Sequence, residues 1–86
     1  MVTLAFVLSS DGPCHVAVTA FTALGRPVAQ PLRPTLLTRG RYALVWHGTD
    51  GRGEPVSEGR YIVEYRADEN RAIRAVAWPM DRQQPA

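Results

Sequence analysis

Apolar and polar side chains alternate with a period of two over most of this chain. Nowhere do apolar residues recur at i, i+3, i+4 and i+7 through three turns. A period of two marks strands, because successive side chains leave a strand on opposite faces. Residues 3–9 (TLAFVLS) are a β-branched and aromatic run, closed by the turn cluster Ser10-Asp11-Gly12-Pro13. Residues 14–21 (CHVAVTAF) set Val16, Val18 and Ala20 on one face and His15, Ala17, Thr19 and Phe21 on the other. Ala23-Leu24-Gly25-Arg26 is a turn, with glycine where a positive φ is useful.

Residues 27–32 (PVAQPL) begin with one proline and carry a second near their end. Proline donates nothing to a ladder, so this is an edge strand or an extended crossover. Residues 33–40 (RPTLLTRG) read as a connection between sheets, with Leu36 and Leu37 plugging the bottom of the core. Residues 41–48 set Tyr42, Leu44 and Trp46 against Arg41, Ala43, Val45 and His47. Residues 60–67 set Tyr61, Val63 and Tyr65 against Ile62, Glu64 and Arg66. After the turn Asp68-Glu69-Asn70, residues 71–78 set Ile73, Ala75 and Ala77 against Ala72, Arg74, Val76 and Trp78, and Pro79 ends the run.

Short strands spaced roughly 8–12 residues apart, with turn signals between them, predict an all-β sandwich or barrel of about seven antiparallel strands. The expected organisation is one domain over residues 1–80 and a polar tail over 81–86. The expected core is Trp46, Tyr42, Leu44, Tyr61, Val63, Val16 and Val18, with Trp46 as its anchor between sheets.

With 86 residues there is room for one core. Hydrophobic residues at 45% and charged residues at 21% are ordinary globular usage and argue against disorder. The net charge of +2 is too small to imply nucleic acid. Every basic side chain is arginine, whose planar fork suits paired hydrogen bonds to carboxylates. Cys14 stands alone, so no internal disulfide forms, and no basic cluster beside it would activate its thiol. The apolar run of residues 4–8 is too short for a secretory leader and no basic residue precedes it. No segment nears the roughly 20 apolar residues of a spanning helix. The chain is therefore expected in the cytoplasm, exported without a cleaved leader, or as part of a longer protein.

The stretch WHGTDGRGEPVSEGRY, residues 46–61, gathers glycines, acids and a histidine. A calcium loop would use Asp50, Glu54 and Glu58, but the alternate position after Asp50 is the cation Arg52. A phosphate loop needs a following helix and a lysine, and has neither here. A catalytic set of His47, Asp50, Glu54 and Ser57 has no marked oxyanion hole. Cys14 and His15 point to opposite faces of a strand and so cannot cooperate. The plain reading is a strand-to-strand corner, with Gly48, Gly51 and Gly53 supplying positive φ and Asp50-Gly51 turning the chain. No catalytic, cofactor or metal site is expected.

Gly25-Arg26 with Val28, then Gly40, Trp46-His47-Gly48, Asp50 to Gly53, Pro55-Val56 and Gly59-Arg60-Tyr61 stand in a characteristic order. That order resembles the immunoglobulin-like module of the flagellar hook-capping protein, the FlgD Ig-like family. The likeness runs from about Thr3 to Trp78, and His47 stands where the family usually has aspartate. The resemblance implies a fibronectin type III-like sandwich that serves as an accessory or assembly unit rather than an enzyme. Only the module is matched, so a hook-capping role does not carry over.

The expected function is that of a structural or interaction subunit of a larger bacterial assembly, binding a protein partner through a sheet edge or face. The candidate partner-binding residues are Arg60, Arg66, Arg71, Arg74 and Trp78. The alternative is a small nucleic-acid-binding barrel in which Tyr42, Tyr61 and Tyr65 combine with arginines. A third reading sets carbohydrate on Trp46 or Trp78.

Overall fold

The computed structural model describes residues 2–78. Six strands run through them: β1 (Val2–Leu8), β2 (Cys14–Thr22), β3 (Pro27–Leu37), β4 (Gly40–Trp46), β5 (Gly59–Ala67) and β6 (Asn70–Trp78). That is fewer than the seven or so the turn spacing predicts, and residues 33–37, read from sequence as a connection, are the second half of β3. Pro79 and the tail 81–86 lie outside the described residues.

The strands form two antiparallel sheets, a pair β1-β4 and a four-stranded sheet in the order β3-β2-β5-β6. The chain is all-β and sandwich-like. Val2, Leu4 and Trp46 of the smaller sheet meet Val18, Ala20, Tyr61 and Val63 of the larger. A second cluster of Leu8, Cys14 and Val16 closes one end. Val2, Leu4, Val16, Val18 and Val63 are the largest fully buried side chains. Each contributes about 1.5–3 kcal/mol relative to staying in water. Tyr42 and Leu44 are half-buried against these clusters.

The period of two breaks down in β3. Val16 pairs with Thr35, Val18 with Leu32 and Ala20 with Ala29, so β3 spends three residues where β2 spends two. Pro34 and Pro31 fall within those two irregular steps. A residue without an N–H is tolerated where the ladder is already interrupted, on an edge strand. The predicted connection over 33–40 is thus mostly strand, and the crossing between sheets is made at Thr38 and Arg39. The predicted plug is half right in position only: Leu37 packs on the second cluster, whereas Leu36 is 58% exposed. Adjacent residues on a strand cannot both face the core.

Two hairpins set the larger sheet's register. At the β2–β3 turn the N–H of Thr22 donates to Arg26 O and that of Gly25 to Thr22 O, with Gly25 at φ 92°. This is the glycine-assisted three-residue hairpin. At the β5–β6 turn Asp68 takes a φ of 51°. Its N–H donates to His15 O, and its carboxylate accepts from the His15 N–H at 3.1 Å, tying this turn to the start of β2.

The two sheets differ in width, and this shapes the surface. Cross-strand partners share a face. Tyr61 pairs with Val76, Val63 with Arg74 and Tyr65 with Ala72. Ala72, Arg74 and Val76 therefore lie on the inner face of β6, the face turned toward the smaller sheet. The smaller sheet ends at β1, and Ala72 and Arg74 remain exposed.

Candidate functional site

The corner between β4 and β5 is built by its own backbone. Thr49 and Pro55 form an isolated antiparallel bridge. Within it the N–H of Asp50 donates to Glu54 O at 2.8 Å and that of Gly53 to Asp50 O at 3.0 Å. The Asp50 carboxylate turns back and accepts from the N–H groups of Arg52 at 2.8 Å and Glu54 at 3.0 Å. These bonds, that from Glu54 first and then that from Arg52, hold the Asp50 carboxyl below its ordinary value. The acid most suggestive of a metal ligand is thus occupied as a turn-former. Among the described residues no three His, Cys, Asp or Glu side chains are grouped so as to hold a metal ion.

Glycine is required at two places in the corner. Gly48 has a φ of 71° and Gly53 one of 83°, whereas Gly51, expected to share this role, does not adopt a positive φ. Gly48 has a second reason to be glycine. The Trp78 ring lies over it so closely that an added Cβ would stand 2.2 Å from ring carbons. Trp46 stacks between Tyr61, edge-on at 5.5 Å, and Trp78 at 5.8 Å, and its indole N–H donates to Thr49 O. The Gly51 N–H reaches across to Val28 O of β3. The corner is therefore fastened to both sheets. His47 is exposed there and makes no hydrogen bond among the described residues.

A second feature lies at the opposite end of the sandwich. A groove of about 310 Å³ runs between β1 and the β5–β6 hairpin. Four consecutive residues of β1, Ala5 to Leu8, line it. Phe6 and Leu8 point inward and Ala5 and Val7 outward, so the backbone edge of β1, rather than either face, borders the groove. Its floor is Tyr65, which packs on Phe6 at 5.7 Å, together with Ala72. Burial raises the Tyr65 phenol above its ordinary value, with the nearby Arg74 acting in the other direction.

The five arginine and tryptophan positions named from sequence do not form one surface. Arg60, Arg66 and Arg71 lie on the outer face of the larger sheet, where Arg66 stands directly opposite Arg71. Arg71 is paired with Glu64 at 3.2 Å. Arg74 lies on the inner face, and Trp78 is half-buried against Trp46. The tyrosines turn inward: Tyr61 is 7% exposed, Tyr42 stacks on Phe6 at 5.3 Å, and Tyr65 forms the groove floor. Sequence reasoning missed the groove. The signal available was the unequal polarity of the two ends of residues 71–78, since Arg74 shares a face with Val76 and Trp78.

Comparisons of the chain with family models, with curated proteins and with solved structures returned no match.

Proposed function

We propose that this chain is a non-enzymatic structural and interaction module, an immunoglobulin or fibronectin type III-like sandwich of the FlgD Ig-like kind. It binds a protein partner through a sheet edge or face, as an accessory part of a larger bacterial assembly. The observation that carries this reading is the state of its edges. β1, β4 and β6 are edge strands without proline, whereas β3 carries Pro27, Pro31 and Pro34. An open, regular edge offers unpaired backbone groups to another chain, and proline withholds them. The inward-turned tyrosines leave bases little aromatic surface to stack on, which favours a protein partner over single-stranded nucleic acid.

The test is site-specific photo-crosslinking from Val7 and from Ile73, both exposed, in the native cell extract, with the captured chains identified by mass spectrometry. Amine-reactive reagents would serve poorly, since the chain has no lysine. A discrete partner captured from either position is expected. Failure at both positions, or binding of single strands that falls steeply with salt, overturns the reading.

A further inference from the structure

Beside the free edge of β1 the inner face of the larger sheet has, among the described residues, no strand over its Ala72–Arg74 end. Ala72 and Arg74 are exposed there, although their ladder partners Tyr65 and Val63 belong to the interior. A further strand laid along β1 would widen the smaller sheet from two strands to three. Its inward side chains would then cover Phe6, Tyr65 and Ala72. One of them would meet Arg74, which has no carboxylate partner among the described residues.

We propose that this groove accepts one extended segment of a partner protein. The segment pairs by backbone hydrogen bonds with β1 and turns apolar side chains, with one aspartate or glutamate among them, onto β6. The proposal rests on the interaction-module reading and specifies its site. Two observations select this occupant. The lining is apolar apart from Asn70 and the arginines Arg66, Arg71 and Arg74, and it contains no acid. Arg66 and Arg71 belong to the outer face, and Arg71 is met by Glu64. Arg74 is thus the inner-face cation that no carboxylate meets among the described residues, and a partner's acid would supply the complementary charge. A second copy of this chain does not supply it. The only acidic residue within its six strands is Glu64, which sits in the interior strand β5 and is already bound to Arg71. Pairing β6 with its own copy would instead bring arginines together, which is unfavourable.

The experiment uses a short synthetic strand in which threonine alternates with valine and one central valine is replaced by glutamate. A matched strand carries arginine at that position. Binding to the full chain is followed by amide exchange and by fluorescence titration. The expected result is slowed exchange at those amides of Val2–Leu8 that do not bond to β4. The glutamate strand is expected to bind about tenfold more tightly than the arginine strand. In Arg74→Glu the preference reverses. Since residue 74 is exposed, that variant keeps its thermal transition, which circular dichroism verifies. Protection at β6 or β3 instead of β1, equal binding of the two strands, or no binding overturns the proposal. If the synthetic strands fail while photo-crosslinking captures a partner only from Ile73, on the outer face, the groove assignment falls and the interaction module stands. If neither binds, both fall.

Discussion

Val63 and Arg74 are partners on one rung of one ladder and point to the same side of the same sheet. Val63 is 0% exposed and Arg74 is open to solvent. Nothing in their local geometry separates them. The difference is what lies above: β1-β4 covers β2, β5 and the Val76–Trp78 end of β6, and leaves the Ala72–Arg74 end uncovered. A residue's burial is thus set by the width of the opposing sheet, a property no single strand contains. The same contrast appears at the edges, where β3 is irregular and proline-bearing and β1 is regular and bare.

The largest effect is expected where the cover is complete. Trp46→Ala removes the ring held between Tyr61 and Trp78 and should cost about 3–5 kcal/mol of unfolding free energy, measured by urea denaturation. A loss under about 1 kcal/mol would mean that the two sheets are not joined through this ring. Gly48→Ala comes next. It places a side chain at φ 71° against Trp78, so at least about 1–2 kcal/mol is expected from the backbone alone. On the uncovered half, Arg74→Val should change stability by no more than about 0.5 kcal/mol, which would mark the inner face of β6 around residue 74 as surface. Pro31→Val would sharpen the contrast of edges. Little change in stability is expected, but the repaired β3 edge should self-associate at concentrations where the parent does not, as sedimentation would report.

The smallest effect is confined to the corner. Asp50 has a folded pKa below its unfolded one, so its contribution is present above about pH 4 and lost as pH falls through the folded value. Faster exchange of the Arg52 and Glu54 amides at low pH, with the core amides unchanged, is the expected result. Tyr65 has the opposite sign: its raised phenol pKa favours the folded state below about pH 10 and is lost above it.

Much of this is legible in the residues. Alternation is readable in β2, β4 and β5, where the outer face carries polar markers such as His15 and Thr19, Arg41, and Glu64 and Arg66, and it marks Val16, Val18, Trp46, Tyr61 and Val63 as interior. It is concealed in β1, whose outer side is Thr3, Ala5 and Val7 with no charged residue to mark it, so Val2, Leu4 and Leu8 do not stand out as core. In β3 the period is broken by extra residues around Pro31 and Pro34, and one strand reads as a strand followed by a connection. Which strands share a sheet depends on pairing between distant segments, and the groove follows from that pairing alone.

The triple stack at Trp46 has a mechanical consequence. Val2 is the ladder partner of Trp46, and Trp78 stacks on it, so the first and last described residues meet at one pole. A polypeptide could enter and leave there with little disturbance to either sheet. Tension applied through both ends would load this aromatic pole first. The groove, bounded by Leu8 and the β5–β6 turn at the other end of the strands, would stay out of the line of force.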